Sequence, residues 1–290
     1  MTAYRVETID GGKEVVKVLN PNALFHLENT KKFVTSIINQ LEAIDPQKYA
    51  VARFVLDEVS DWITRDISFK GFLASDATFR ARHDGFQPVG FSYRVHVPQS
   101  RPPASQYFIR EQFVEGKNLT QWEELQREGN DMKEIVSLLV RSALEQLGSG
   151  QVHSDMHPGN FRVTPDKKVA ILDRNFYLTI TPQAQKFLEM IADLGVSPEE
   201  KLDQFFAVCG VSPTREMRGA VLEELNKTLG EVNRGNWSAF MDFLVTIRSQ
   251  QLRLPLEVTL LFKNMNVLQG FAHRAGFANM MEAYFYTPAI

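Results

Sequence analysis

The sequence lacks the features that mark extracellular, membrane-spanning and nucleic-acid-binding proteins. Its 290 residues contain a single cysteine, Cys209, which excludes an internal disulfide and a metal site built from several cysteines. No apolar run approaches the roughly 18 residues that span a bilayer, and the N-terminus lacks the apolar stretch of a secretory signal. Thirty-two basic and 35 acidic side chains leave a net charge of -3, without the basic excess of a nucleic-acid binder. These absences predict a cytoplasmic protein that has no nucleic-acid partner.

The first part of the chain carries both strand and helix patterns. Hydrophobic residues make up 44% of the sequence, a fraction typical of globular proteins. The predicted elements are a hairpin over 4–19, a helix over 23–44, a helical region over 48–82 that Gly71 interrupts, and strands over 88–97 and 107–113 that the proline-rich loop SRPPAS separates. This mixture predicts a small lobe of strands and helices, residues 1–113.

Beyond a short segment, residues 114–117, helical patterns dominate. The predicted elements are helices over 120–127 and 132–147, a polar loop over 149–160, strands over 161–163 and 169–172, and an almost wholly helical remainder from Pro182. We therefore predict an α+β protein of two lobes, with a hinge at 114–117 and a helical second lobe at 118–290. The Met- and aromatic-rich end, 277–290, is expected to pack on this second lobe.

Two nearby segments contain the residues best suited to chemistry. In HSDMHPGN, residues 153–160, Asp155 and Asn160 flank a Pro-Gly turn, which allows both side chains to enter one cleft. In AILDRNF, residues 170–176, Asp173 follows a short apolar strand. Two oxygen ligands for Mg²⁺ and a second Asp that accepts a hydroxyl proton form the arrangement that phosphoryl transfer requires.

A lysine in the first hairpin adds a cation to this set. Lys17 lies in the apolar strand EVVKVLN, and alternation places it on the face opposite Val16 and Val18. A lone lysine on an edge strand is usually a solubilising residue. Because residues 153–173 contain the other groups that phosphoryl transfer requires, we interpret Lys17 as a phosphate contact, similar to the lysine of the V-A-I-K pattern in kinases.

Together these residues resemble the UbiB/AarF family of atypical kinases. That family commonly has H-A-D-x-H-P-G-N followed by L-D-F-G, where this chain has HSDMHPGN and LDRN. Further similar segments are GKEVVKVLNP at 12–21, QFVEGKNL at 112–119, ITPQAQ at 180–185 and LPLEVTLLFKNMNVLQGFAHRAG at 254–276. The resemblance covers about residues 4–277 and implies a bilobal protein-kinase-like α+β fold that uses ATP and Mg²⁺.

The resemblance also implies a role for each matching residue. Asp155 would act as the catalytic-loop base or orient the acceptor hydroxyl, and Lys17 would contact the α- and β-phosphates. Asn160 and Asp173 would hold Mg²⁺. Residues 111–116, which include Glu111, Phe113 and Val114, would frame the adenine pocket through backbone groups.

The resemblance also assigns an acidic partner to Lys17, and this sequence differs from the family pattern at several positions. The family pairs its lysine with an acid in a helix that aligns with residues 66–79, which assigns Asp66 as the partner of Lys17. Phe72 stands where the family usually has a second Glu, and Arg174-Asn175 replaces Phe-Gly after Asp173. Arg174 is expected to pair with Asp173 or with a phosphate. The sequence begins at what resembles the second strand, without the family's alanine-rich nucleotide loop and K-x-G-Q extension.

Three functions fit these residues. The first is an ATP- and Mg-dependent phosphotransferase or ATPase, which by resemblance serves quinone or prenyl-lipid metabolism at the periphery of a membrane. The second is a catalytically impaired pseudokinase that binds a lipid, a membrane surface or a protein partner. The third is a small-molecule phosphotransferase of the aminoglycoside or choline kinase type, whose H-G-D-x-x-x-x-N loop is similar. The ITPQ segment and the C-terminal LLFKNMNVLQG segment favour the UbiB/AarF family over the third.

Overall fold

The computed structural model describes residues 2–18, 20, 22–44, 56, 60, 72–105, 108–174, 177–192, 197–234, 236, 239–250, 252 and 254–288. The chain forms two compact units. The first comprises Met1–Glu28, Asp61–Leu178 and Gly270–Ile290, and the second comprises Asn29–Ser60 and Thr179–Gln269. This division differs from the lobe boundary predicted at 114–117, which stays a prediction.

The strands lie in three small sheets. Their bounds are Thr2–Glu7 (β1), Lys13–Val18 (β2), Arg94–His96 (β3), Ser100–Ser105 (β4), Phe108–Gln112 (β5), Lys117–Asn118 (β6), Gln151–His153 (β7), Phe161–Val163 (β8), Lys168–Ile171 (β9) and Tyr177–Thr179 (β10). The strand orders are β1-β2-β5-β4, β3-β9-β8-β6 and β10-β7. The hairpin predicted at 4–19 is confirmed as the antiparallel pair of β1 and β2, whose connecting turn contains Gly11 at φ 80°.

The helices agree closely with the sequence periodicity. Their bounds are Ala23–Ile44 (α1), Phe72–His83 (α2), Trp122–Arg127 (α3), Met132–Gly148 (α4), Pro182–Ala192 (α5), Pro198–Cys209 (α6), Arg215–Asn233 (α7), Ala239–Ser249 (α8), Leu256–Arg274 (α9) and Met280–Phe285 (α10). Most of the helical region predicted over 48–82 lies outside the described residues, apart from α2. In the described part of the chain, none of the helices combines the length and the apolarity that crossing a bilayer requires.

Three predictions of local structure were wrong. The proline-rich segment SRPPAS forms strand β4 rather than a loop, because it occupies the edge of its sheet, where prolines leave no missing hydrogen bond. The strand predicted over 88–97 is limited to β3, since Gly90 adopts a turn conformation at φ 83°. The polar loop predicted over 149–160 contains β7 and a 3₁₀ turn at Pro158–Asn160.

Each unit has its own buried core. In the first, buried hydrophobic side chains come from strands β5, β8 and β9, helices α3 and α4 and the 3₁₀ turn at Leu119–Gln121: Ile109, Leu119, Leu125, Ile135, Leu138, Phe161, Val169 and Ile171. In the second, six phenylalanines lie together, Phe187, Phe205, Phe206, Phe240, Phe243 and Phe262. Cys209 packs against this second core, and burial raises the pKa of its thiol to about 12.

The C-terminal segment is fixed to the first unit. Arg141 of α4 donates hydrogen bonds to the backbone carbonyls of Tyr284 and Tyr286 at 2.8 and 2.7 Å. Met280 and Ala283 of α10 are buried. Packing is therefore the confirmed role of the terminal Met- and aromatic-rich segment, as far as residue 288.

Candidate functional site

Lys17 is a buried cation between two carboxylates. Its Nζ lies 2.9 Å from Oε2 of Glu111 and 3.0 Å from Oδ1 of Asp173, and only 7% of its side chain is exposed. Strand register explains the first contact, because Val15 of β2 stands opposite Glu111 of β5, and Lys17 follows two residues later on the same face. The predicted lysine therefore reaches the predicted metal ligand Asp173 directly.

The loop after β7 is organised around a buried histidine. The ring of His153 accepts a hydrogen bond at Nδ1 from the backbone N–H of Asp155 (3.1 Å), and its Nε2 lies 2.9 Å from the carbonyl oxygen of Leu172. These partners require a neutral ring that carries its proton on Nε2. Burial lowers the pKa of His153, which favours the same neutral form. Through these contacts, His153 supports the loop that carries Asp155.

A turn places Asn160 beside Asp155. Pro158 starts the 3₁₀ turn, and the side chain of His157 caps it by accepting a hydrogen bond from the N–H of Gly159. The amide Nδ2 of Asn160 then donates to the backbone oxygen of Asp155 at 2.9 Å and to its carboxylate Oδ2 at 3.1 Å. The amide oxygen of Asn160 is consequently the atom left to face a ligand.

Asp173 is held at the end of β9 in a strained conformation. The N–H of Leu172 donates to the carbonyl of Asn160 at 2.7 Å, which connects the two predicted metal-ligand segments. Asp173 has φ 50°, in the left-handed region, where Asp and Asn are tolerated better than other non-glycine residues. Its side chain is 41% exposed, so it remains accessible.

These residues line one cleft of about 430 Å³ in the first unit. A cleft of that size is within the range of small-ligand sites. Its lining consists of Ala3, Tyr4, Arg5, Val15, Lys17, Glu111, Gln112, Phe113, Val114, Gly159, Asn160, Arg162, Leu172 and Asp173. Six of the residues singled out from the sequence, Lys17, Glu111, Phe113, Val114, Asn160 and Asp173, are among them. Asp155 adjoins the cleft through its hydrogen bond with Asn160.

Two arginines at the hinge side were missed by the sequence analysis. The guanidinium of Arg5 lies 5.7 Å from the ring centroid of Phe113. Arg162 donates from Nη1 to the carbonyl of Val114 (2.8 Å) and from Nε to Oδ1 of Asn118 (3.1 Å). With Lys17, these arginines bring three cations to the cleft, a charge distribution that suits an anionic ligand.

Arg174 does not face this cleft, contrary to the expectation that it binds nucleotide or pairs with Asp173. Its side chain is fully buried, and its Nε donates to Oδ1 of Asp76 at 2.9 Å. Tyr177 donates to the same carboxylate oxygen at 2.6 Å. A buried guanidinium needs several hydrogen-bond acceptors. For Arg174 these are Asp76 on α2 and the carbonyls of Ile171 and Pro98, which explains why its side chain does not enter the cleft.

Among the described residues, Glu111 is an acidic partner of Lys17 that the family pattern did not assign. Asp66, which was assigned as the partner, lies outside the described residues. Glu111 makes an ion pair with Lys17 through its side chain, whereas we predicted a role for its backbone. Glu111 could have been recognised only from the register of β2 and β5, which places it diagonal to Lys17.

The oxygen atoms available at the cleft fit Mg²⁺ bound together with phosphates. Asn160 and Asp173 supply one amide and one carboxylate group, the hard ligands that Mg²⁺ prefers. Across the described residues, no group of three or more His, Cys, Asp or Glu side chains is arranged to hold a metal by itself. Mg²⁺ typically keeps waters and completes its shell with substrate phosphates, so two protein groups are sufficient.

Comparison with known proteins identifies relatives with this domain. The model of the ABC1 atypical kinase-like domain matches residues 2–201. "Protein ACTIVITY OF BC1 COMPLEX KINASE 3, chloroplastic" of Arabidopsis thaliana is 26% identical over 173 residues, which is 56% of this chain and 24% of that protein. An uncharacterized aarF domain-containing protein kinase of the same plant, also chloroplastic, is 25% identical over 225 residues, 75% of this chain and 31% of the relative. The chain thus spans less than a third of the length of these relatives.

A solved structure shares the fold. The complex of Rv3197 with erythromycin from Mycobacterium tuberculosis aligns with a TM-score of 0.53 and 16% sequence identity. The alignment covers 97% of this chain and 70% of that one. Together with the family match, it confirms the predicted kinase-like α+β fold.

Proposed function

Because this chain belongs to the ABC1 atypical kinase-like family, we propose that it binds ATP with Mg²⁺ in the Lys17–Asp173 cleft and transfers or hydrolyses the terminal phosphate. One observation carries the proposal. Lys17 and Asp173, far apart in sequence, meet at 3.0 Å beside Asn160 in a cleft of ligand size. The family match makes kinase-like chemistry the expected use of such a cleft.

Each residue of the cleft has a distinct task in this proposal. Lys17 supplies a fixed positive charge to the phosphate chain, and the carboxylate of Glu111 holds its side chain in place. Asn160 and Asp173 would hold Mg²⁺, which neutralises charge on the phosphates when it is bound. Phe113 and Val114 provide the apolar wall and backbone groups for the base.

Asp155 is the residue proposed to act on the acceptor. Its carboxylate accepts a hydrogen bond from Asn160, which fixes its orientation next to the proposed metal ligand. A carboxylate in this position can orient an attacking hydroxyl or water and accept its proton. Phosphoryl transfer depends mainly on such positioning and on charge neutralisation.

The test is ATP turnover by wild type and by Asp155→Asn. The matched control is Asp166→Asn, in the turn between β8 and β9, where the carboxylate pairs with Lys168. Loss of a general base lowers a rate by about 10²- to 10⁴-fold, so Asp155→Asn is expected to lose nearly all turnover while the control retains it. Unchanged turnover in Asp155→Asn would refute the proposed mechanism.

A second candidate is a catalytically impaired pseudokinase that binds a lipid, a membrane surface or a protein partner. The observation that favours it is the pairing of Lys17 with both Glu111 and Asp173, which offsets the charge that a phosphate would need. This candidate predicts neither Mg-dependent nucleotide binding nor ATP turnover in the wild type. It also predicts that binding of the lipid or protein partner survives Asp155→Asn.

The proposal also includes a biological setting. By family resemblance, we place the acceptor among quinone precursors or other prenyl lipids, with contact to a membrane surface or a protein partner. The support is the family match alone. Co-sedimentation of the purified chain with phosphatidylcholine vesicles, with and without a prenyl lipid, tests this part: pelleting only with the prenyl lipid supports it, and no pelleting with either refutes it.

A further inference from the structure

The segment that carries Asp173 is anchored by a buried arginine fork. The guanidinium of Arg174 donates from Nη1 to the carbonyl of Ile171 at 2.6 Å and from Nη2 to the carbonyl of Pro98 at 2.7 Å. Its Nε donates to the carboxylate of Asp76 on α2 at 2.9 Å. One side chain therefore joins the end of β9, the start of β4 and helix α2.

The fork is connected to the cleft through a second carboxylate. Nη2 of Arg174 lies 3.8 Å from Oε1 of Glu111, whose other oxygen is 2.9 Å from Lys17. Lys17 in turn contacts Asp173, the residue next to Arg174 in the chain. Arg174, Glu111, Lys17 and Asp173 therefore form a series of alternating charges in which each carboxylate has a cation beside it.

Arg174, Glu111 and Lys17 are buried, and removing their charges from water carries a desolvation cost. A buried ion pair is often replaceable by apolar side chains without loss of stability, so stability alone is a weak reason to place an arginine here. The guanidinium, however, offers a rigid planar set of donors that fixes several neighbours at once. The neighbours that it fixes include the carbonyl two residues before Asp173.

From this geometry we infer that Arg174 and Asp76 are positioning residues, which hold the Asp173 carboxylate where it can bind Mg²⁺ with nucleotide. The inference rests on the proposed function, because it assigns the ion pair to that site. Arg174 touches no cleft ligand itself and acts through Asp173. Helix α2 thereby supports the metal-binding segment with an ion pair.

The test compares nucleotide affinity with and without Mg²⁺ in the double variant Asp76→Asn/Arg174→Met. Both replacements are neutral, so no unpaired charge is buried, and the Asn still accepts from Tyr177. Outer-shell partners of a metal site are typically worth about 10- to 100-fold in metal affinity. We expect the affinity gained by adding Mg²⁺ to fall by that factor, while the Mg-free affinity for ADP changes little.

Two further variants separate positioning from general folding. Arg174→Lys retains the charge and its pairing with Asp76 but loses the planar fork, so it is expected to recover part of the Mg²⁺ effect. The control removes the exposed Arg–Asp pair of the second unit, Asp203→Asn/Arg218→Met, and is expected to behave as wild type.

The outcomes distinguish the two proposals. If the wild type gains affinity from Mg²⁺, and Asp173→Asn removes that gain while Asp76→Asn/Arg174→Met keeps it, the positioning role is overturned and the proposed function stands. Equal losses with and without Mg²⁺ also overturn it, because they indicate a merely structural pair. If the wild type gains nothing from Mg²⁺, the proposed function fails, and the positioning role fails with it.

Discussion

Lys17 and Asp173 are separated by 156 residues, and their side chains form an ion pair of 3.0 Å. The pair joins the first hairpin to the end of β9 and places a cation and a carboxylate at the same wall of the cleft. The group proposed to contact the phosphate chain and a group proposed to hold Mg²⁺ thus lie side by side. Preorganised charge of this kind lowers the cost of binding and of the subsequent chemistry.

The buried contact between Lys17 and Glu111 predicts a strong non-additivity in stability. Lys17→Met leaves the Glu111 carboxylate without its nearest cation, so we expect the free energy of unfolding to fall by about 3 kcal/mol. Lys17→Met/Glu111→Gln removes both charges and should recover most of that loss. Urea denaturation of the two single variants and the double variant measures the coupling. Additive losses would contradict the ion pair.

The backbone of Asp173 gives a second prediction. Asp173→Ala and Asp173→Gly both remove the carboxylate, but only alanine is strained at φ 50°. We expect Asp173→Ala to be less stable than Asp173→Gly by about 1 kcal/mol in urea denaturation. Equal stabilities would show that the left-handed conformation is not adopted in solution.

Gly116 provides a third prediction, at the predicted hinge. It has φ 134°, and a Cβ added there would overlap the carbonyl oxygen of Val163. Gly129 is the matched control, since it has φ 80° with open space around it. Gly129→Ala should cost about 1 kcal/mol from the backbone alone. Gly116→Ala should cost at least twice as much, and similar losses in thermal or urea unfolding would exclude the close contact.

The buried His153 predicts a pH dependence of stability. Its pKa is lowered from 6.5 by burial, so the unfolded chain binds a proton more readily than the folded one. The stability from the neutral ring is fully present above pH 6.5 and is lost as the pH falls towards the lowered pKa. A single histidine changes the free energy of unfolding by at most about 1.4 kcal/mol per pH unit.

His153→Gln tests this prediction because glutamine can also accept from Asp155 and donate to Leu172. We expect its stability between pH 7.5 and 5.5 to decline less steeply than that of the wild type. His26 is exposed on α1, so His26→Gln serves as the control and is expected to show the same dependence of stability on pH as the wild type. An unchanged slope in His153→Gln would assign the pH dependence to other groups.

Local patterns of the sequence determine much of this fold. The hairpin of β1 and β2 was predicted from its alternation around Gly11, and the bounds of α1 were predicted from its helical spacing. Strand β4 was missed because proline and serine indicate a loop, whereas the segment becomes a strand by pairing with β5 at the edge of the sheet. A single sequence does not specify which segments occupy a sheet edge.

The same distinction applies to the site. Asp155, Asn160 and Asp173 were found because their spacing within one stretch of chain carries the chemistry. The pairs Lys17–Glu111 and Arg174–Asp76 were missed because each depends on packing between distant elements. Arg174 in particular was assigned to the nucleotide, since its neighbour in sequence is Asp173. Its buried acceptors on α2 and at Pro98 are visible only in three dimensions.

The most direct test of the account is a thermal-shift titration with ATP and ADP, with and without Mg²⁺, on wild type, Asp173→Asn and the control Asp166→Asn. A ligand at a hundred times its dissociation constant stabilises a protein by about 2.7 kcal/mol, a change that is readily measured. The account predicts a Mg-dependent rise in Tm for wild type and Asp166→Asn, and its loss in Asp173→Asn. Absence of any shift at millimolar nucleotide, or an undiminished shift in Asp173→Asn, would contradict it.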